Sequence, residues 1–494
     1  MKRAVVIGAG LGGLAAAIDL ACAGWQVTVC ERAQAPGGKV RTVEAGGQPI
    51  DAGPTVFTLR EVFTDLFRDA GARLEDRLEL IEADVLARHA WRDGSQLDLY
   101  ADLERSTRAI DNFAGRIAAA QFREFCQRSA GVYAALRDPF MRAERPSPAQ
   151  LIARLGIRGL QSMAGTPPWH SLWGALGSQF DDVRLRQLFA RYATYVGSSP
   201  LSAPATLMLI AHVEQAGVWL VRGGMHRVAR SLETLARERG VTFRFRTPVT
   251  QLRVRSGRVD GVTLESGETL PADAVVFNGD VSALGAGALG EHSRAAAIAT
   301  PPRQRGLSAI TWCMSAPTTG FALEHHNVFF GDDYPAEFRA IFDERRVTED
   351  PTVYVCAQDR GAAATDPVAP GQAERLLVLV NAPADPEAID EERLAVIEQR
   401  SFALMQTCGL SVTRSPGNVS VTRPQDFAAL FPHSGGSLYG RANHGALGSF
   451  RRAGSRSRLR GLYLAGGTVH PGPGIPMVTL SGRLAAASVL ADQT

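Results

Sequence analysis

Apolar and polar positions alternate in three rhythms along the chain. Ala4-Val5-Val6-Ile7 is a continuous apolar run, Leu11 to Ala23 repeats with helical spacing, and Gln26 to Cys30 returns to a strand pattern, so a strand-helix-strand unit begins at residue 4. From about Thr107 to Pro204 the period becomes helical throughout. One stripe carries Phe122, Phe125, Cys126, Tyr133, Leu136 and Phe140, and another carries Leu172, Leu176, Phe180, Leu188, Phe189, Tyr192 and Tyr195. Thr242 to Phe277 switches to period two with turns at Ser256-Gly257 and Ser266-Gly267, which predicts an antiparallel meander running into a further strand. Residues 281–445 are mixed, with strands expected over Leu307 to Met314, Thr352 to Ala357 and Leu376 to Asn381 and a helix over Glu391 to Thr407; they read as a second, sheet-based domain. The tail repeats strand, glycine-rich turn and helix, with Leu462-Tyr463-Leu464, Gly466-Gly467 and Ser481 to Leu490.

Composition narrows the class. At roughly 150 residues per domain, 494 residues make about three domain-sized units or one large fold with insertions. Apolar residues at 45% and charged residues at 21% are those of an ordinary globular chain, and a net charge of +3 lacks the field of a nucleic-acid binder. All basic residues but Lys2 and Lys39 are arginine, a skew that follows most simply from GC-rich codon usage. The six cysteines form no C-x-x-C pair, which fits a reduced, cytoplasmic protein. Lys2-Arg3, an apolar stretch and Ala21-Cys22-Ala23 imitate a secretory leader, but Asp19 and the glycine turn inside the stretch argue against one. No run reaches the roughly 18 apolar residues needed to span a bilayer, so an integral membrane protein is not expected.

The first turn carries the chemistry. Gly8-Ala9-Gly10-Leu11-Gly12-Gly13 satisfies G-x-G-x-x-G, a weak signal alone and a strong one directly between a strand and a helix, where glycine backbone and the helix N-terminus can meet a pyrophosphate. Glu31 ends the second strand, where a carboxylate accepts ribose hydroxyls and repels a 2'-phosphate. The second doublet, Pro36-Gly37-Gly38-Lys39, suits a flavin dinucleotide better than NAD.

These residues resemble the flavoprotein group that includes amine oxidases and phytoene desaturases. Asp51-Ala52-Gly53-Pro54-Thr55 is similar to the D-x-G-P-T segment of bacterial carotenoid desaturases, and Val221-Arg222-Gly223-Gly224-Met225 to their G-G-M segment. Leu462 to Val478, containing Gly466-Gly467-Thr468-Val469-His470-Pro471-Gly472-Pro473-Gly474, resembles their L-Y-L-x-G-x-x-T-H-P-G-x-G-x-P tail. The likeness runs end to end and is greatest to the 1-hydroxycarotenoid 3,4-desaturases of spheroidene-type pathways.

The resemblance implies an α/β fold: a Rossmann-type FAD-binding domain in three parts (1–106, 205–280 and 446–494), a helical, membrane-facing insertion (107–204) and a sheet-plus-helix substrate domain (281–445). It puts Gly8, Gly10 and Gly13 at the pyrophosphate, Glu31 on the adenosine ribose, Gly38, Lys39 and Thr55 along the rest of FAD, Val249 beside the adenine, Gly466 near the ribityl chain and Met477 near the ring. Val469 departs from the usual threonine, and Gly467 replaces the acidic residue of amine oxidases. With no cysteine after Cys408, FAD is expected to be non-covalent. The implied activity is desaturation of an acyclic 1-hydroxy- or 1-methoxycarotenoid; phytoene desaturation, carotene isomerisation and non-catalytic prenyl-lipid carriage are the alternatives. His470 is the only ionisable side chain in the tail motif, either a proton guide or a packed histidine. Residues 440–460 hold Arg441, Arg451, Arg452, Arg456, Arg458 and Arg460 and no acid, which would suit anionic lipid on an inner or photosynthetic membrane, or a solvated or flavin-facing role. The external electron acceptor leaves no second nucleotide motif.

Overall fold

The computed structural model describes residues 1–163, 169–361, 368–369 and 371–493. Parts of the expected helical insertion (164–168) and of the expected substrate domain (362–367 and 370) therefore lie outside the described residues. Arg3–Ile7, Gln26–Cys30 and Thr242–Arg244 lie side by side in a parallel sheet, and Ala274–Phe277 and Leu462–Leu464 extend it on the other side of Arg3–Ile7. The order reverses at Arg3–Ile7, which opens a crevice at the carboxyl ends of that strand and Ala274–Phe277. Leu11–Cys22 covers one face, and the last helix, Ile475–Gln493, packs on it so closely that a Cβ on Gly482 would stand 2.0 Å from the Gly12 carbonyl oxygen. Val249–Arg255, Arg258–Leu264 and Thr269–Pro271 form the expected antiparallel meander.

A larger mixed sheet makes the second layer. Its spine is Ser308–Gly320, Ala373–Ala382, Val353–Ala357 and His326–Phe329, paired antiparallel, and Glu391–Thr407 forms the helix expected there. Two further strands, Val85–Ala90 and Gln96–Tyr100, join this sheet through parallel pairing of Val85–Ala90 with His326–Phe329. A boundary at residue 106 puts both strands in the dinucleotide domain, whereas they belong to the second sheet. Nothing local marks the partner, because the pairing joins residues more than two hundred positions apart.

The helical segment bridges the two sheets. Leu103–Leu136 is interrupted at Gly115 (φ 86°) and buries Phe122 and Phe125 against Phe180 and Phe189, with Phe125 and Phe189 ring centroids 4.6 Å apart. The two predicted aromatic stripes therefore pack mainly on each other.

Candidate functional site

Three chain segments converge at the crevice. Gly8 has φ +100°, and a Cβ on Gly10, Gly12 or Gly466 would come within 2.7–2.8 Å of the Asn278 side chain and displace it; at Gly12 the Val478 carbonyl oxygen, 2.9 Å away, blocks a Cβ as well, and Gly466 has φ +107°. Asn278 follows Ala274–Phe277 directly, and its Nδ2 donates to the Gly8 carbonyl at 3.4 Å. The helix that starts at Leu11 has no side-chain cap and no acidic residue in its first turn, which leaves its amides for an anion.

Glu31, 8% exposed, is held at the crevice edge by two backbone amides: Ala9 N–H donates to Oε2 at 2.7 Å and Ala33 N–H to Oε1 at 2.8 Å. The Lys39 ammonium donates to the Leu438 carbonyl and sits 5.3 Å from the Phe431 ring centre; burial lowers its pKa to about 8, against the pull of Asp280.

Asp51 ties two of the motifs together. Its carboxylate accepts from Met225 N–H (2.6 Å) and His226 N–H (3.1 Å), and Gly224 at φ +95° has no room for a Cβ, which would lie 2.4 Å from Oδ2. Burial raises the Asp51 pKa and the two amides pull it down.

One cavity of about 1590 Å³ runs past the glycine cradle, Asn278, Glu31 and Lys39, with Asp51 just behind its wall at Ala52 and His226. Ordinary small-molecule pockets span about 300–1,000 Å³. Gly8, Gly10, Glu31, Gly38, Lys39, Thr55, Val249, Gly466 and Met477 all line it. Gly13 does not; a Cβ there would stand 2.1 Å from the Gly8 carbonyl, so this glycine lets helix and strand touch behind the loop. His470 is also off the lining. Its Nε2–H donates to the Phe140 and Ala143 carbonyls at 2.8 and 3.1 Å, fastening the tail motif to the helical segment, and burial lowers its pKa to about 4.

Sequence reasoning missed Asn278, whose available signal was a polar residue at the carboxyl end of an apolar strand. Arg452, one of the arginines of 440–460 left between a lipid-facing and a solvated or flavin-facing role, is neither solvated nor on the cavity lining. That guanidinium is 2% exposed and donates to the carbonyls of Tyr439, Gly467 and Arg441 and to Asn443 Oδ1 at 2.8–3.2 Å, so it is an internal tie and no lipid contact. Arg456 is paired with Glu144 and Asp492.

A glycine cradle at a topological switch point, a buried carboxylate at its edge and a cavity of about 1590 Å³ have the make-up of a nucleotide-cofactor oxidoreductase site. The chain belongs to the flavin containing amine oxidoreductase family, whose profile matches residues 11–490, and within it to the carotenoid desaturases. It is 51% identical to the hydroxyneurosporene desaturase of Rubrivivax gelatinosus over 99% of this chain and 93% of that one. Against the hydroxyneurosporene desaturase of Cereibacter sphaeroides it is 46% identical, covering 100% and 98%. The 1-hydroxycarotenoid 3,4-desaturase of Flavobacterium sp. is 32% identical over 98% of each chain. Among solved structures, cyclohexylamine oxidase from Brevibacterium oxydans shares the fold with a TM-score of 0.58 at 16% identity, covering 100% of this chain and 99% of that one. The protein is a flavin-dependent oxidoreductase. The flavin's requirements fit the residues present: a side-chain-free cradle at Gly8, Gly10 and Gly466, unsatisfied helix amides, Glu31 and Lys39.

Proposed function

We propose that the protein is an FAD-dependent desaturase that introduces a C-3,4 double bond into an acyclic 1-hydroxy- or 1-methoxycarotenoid, with FAD held non-covalently. The observation that carries this reading is the continuity of the cavity from Gly8 and Glu31 into an apolar chamber walled by Leu155, Leu207, Ile210 and Val213 of the helical segment and by Leu377 and Leu379 of the larger sheet. A bound flavin supplies the two-electron acceptor for removing hydrogen from adjacent carbons. The chain's part is to hold a long apolar substrate beside it and keep water out, for which this lining is suited.

The chamber opens toward an apolar rim. Ile152, Trp169 and Leu447 line the cavity and are yet 56%, 74% and 50% exposed, and Ile157, on the same helix as Ile152, is 77% exposed. No helix among the described residues is long and apolar enough to cross a membrane. Such a rim suits peripheral contact with the cytoplasmic face of an inner or photosynthetic membrane, from which a carotenoid could enter without meeting water. This reading adds the apolar side chains around the mouth to the exposed arginines Arg451, Arg458 and Arg460 as candidates for lipid contact.

Flavin-loaded protein given 1-hydroxyneurosporene in liposomes, with phytoene in parallel, tests the reading. The expected result is a red-shifted pigment with one more conjugated double bond from the hydroxylated carotene alone. Conversion of phytoene instead would replace the substrate assignment. Rearrangement without net oxidation of the carotene would favour an isomerase, and no product from either, with no reducible flavin bound, a carrier.

A further inference from the structure

The inner chamber is walled mainly by apolar side chains, with polar ones set among them. Where the helical segment meets the larger sheet, Thr55, Arg191, Tyr195, Glu214, Thr311 and Tyr354 line the cavity, and Tyr334, Thr352 and Asn381 lie on the same lining. Tyr354 is hydrogen-bonded to Thr55 Oγ1 at 2.7 Å, and its hydroxyl is also 2.7 Å from His326 Nδ1. Thr311 and Tyr354 occupy the same row of the sheet with Leu379 between them, so all three face the cavity.

From the helical side, Tyr195 donates to Glu214 Oε1 at 2.5 Å and Tyr192 to Oε2 at 2.7 Å. The Arg191 guanidinium lies 5.2 Å from the Tyr195 ring centre. Burial opposes its charge, but Tyr195, Glu214 and Tyr192 raise its pKa above the ordinary arginine value, and the charge bears on Tyr354 and His326 opposite.

Four polar atoms here are left over: Arg191 Nε and Thr311 Oγ1 on the cavity lining, Thr352 Oγ1 on the same lining, and His326 Nε2 behind Tyr354. Arg191 is 9% exposed and Thr311 3% exposed, and neither Arg191 Nε nor Thr311 Oγ1 has a hydrogen-bond partner among the described residues. A buried donor without an acceptor is costly in an apolar chamber, so such atoms mark a place where a ligand supplies the partner.

We propose that Arg191 and Thr311 bind the oxygen on C-1 of the carotenoid and thereby select an oxygenated chain end over a hydrocarbon one. This rests on the desaturase reading above. In that reaction the oxygen is three bonds from the nearer reacting carbon, C-3, and three bonds of about 1.5 Å keep it within ~4 Å. The group that reads the oxygen must therefore stand beside the reacting carbons, not at a remote end. Thr55, which belongs to the motif next to the dinucleotide cradle, is directly bonded to this polar group. Arg191 Nε–H can donate to a hydroxyl or a methoxy oxygen alike, while Thr311 Oγ1 accepts from a hydroxyl and donates to a methoxy.

The test compares kcat/KM for 1-hydroxyneurosporene and neurosporene, in parent protein and in Thr311→Val and Arg191→Met, with bound flavin measured in each. Thr311→Val keeps the shape and breaks no internal hydrogen bond, so it guards against misfolding of the arginine variant. Parent protein should prefer the hydroxylated carotene, and each substitution should cut the preference about tenfold or more, since a site built around a hydroxyl rejects the analogue lacking it. Loss of turnover on both carotenes in equal proportion would assign Arg191 and Thr311 a structural role and overturn the proposal. Equal turnover of both by the parent would do the same while leaving the desaturase intact, whereas no 3,4-desaturation by the parent at all would remove the reading on which it rests.

Discussion

The two ends of the cavity are built from different materials. At the dinucleotide end the surface offered to a ligand is largely backbone: Gly8, Gly10, Gly38 and Gly466, the first helical amides, and few side chains such as Glu31 and Lys39. At the substrate end it is almost all side chain, contributed by the helical segment and by strands of the larger sheet far apart in the chain. A backbone cradle tolerates no Cβ but is indifferent to most of its neighbours, so it suits a cofactor shared across a large family. A side-chain chamber can change its ligand by single substitutions, which is where members of one family can part in substrate.

The contrast breaks most severely at Gly482. Its Cβ-free face touches the Gly12 carbonyl, and the intruded atom would meet backbone, which cannot swing away. Gly482→Ala should force apart the first and last helices at a cost of at least about 1–3 kcal/mol, and the purified protein should carry little flavin by absorbance while keeping its helical circular dichroism. Full flavin content in this variant would show that the cradle yields. Asp51→Ala comes next. It strands the buried amide of Met225, at about 1–3 kcal/mol for an orphaned donor, and the half-buried amide of His226 at less, and should lower the thermal midpoint by several degrees. Asp51→Asn keeps acceptor capacity and should recover part of the loss; an alanine variant as stable as the parent would refute the tie.

What was legible follows the same divide. Positive φ and close approach leave their mark on the residue itself, so the Gly8 to Gly13 turn, the Gly37-Gly38 doublet and the tail glycines could be read without a fold. The helix Glu391–Thr407 and the strand Gln26–Cys30 were legible because burial on one face imposes its period on a continuous segment. Long-range pairing leaves no such mark. Asp51 and Gly224 stood in two recognised motifs, yet their contact could not be read, and neither could the parallel pairing that takes Val85–Ala90 into the larger sheet. Arg452 looked like its exposed neighbours because a run of arginines does not reveal which one finds four oxygens inside.

A smaller effect is expected where the substrate end meets lipid. Burying one large apolar side chain is worth about 1.5–3 kcal/mol, so Trp169→Ser and Leu447→Ser, both at exposed positions, should each weaken co-flotation with liposomes about tenfold or more without changing flavin content or melting temperature. Replacing Arg451, exposed on the same stretch, should matter less and only at low salt. If the arginine change dominated and the apolar changes did nothing, the rim would not be the lipid contact.

The mildest change separates the two ends by pH. Lys39 has its pKa lowered by burial from 10.5 to about 8, so between those values the unfolded chain binds a proton that the folded, flavin-free chain lacks. Stability of the flavin-free protein should therefore rise with pH across that window. A cofactor phosphate near Lys39 reverses the preference, because it favours the charged ammonium; binding then takes up a proton above pH 8, and flavin affinity should fall as pH rises, by at most about tenfold per unit. Titrating flavin fluorescence on release between pH 7 and 10 measures this, and Lys39→Met should flatten the slope. The substrate end carries no such dependence, since Arg191 keeps its charge throughout. Loss of flavin affinity with an unchanged slope in Lys39→Met would mean that the lysine packs against Phe431 and Leu438 without meeting the cofactor's charge.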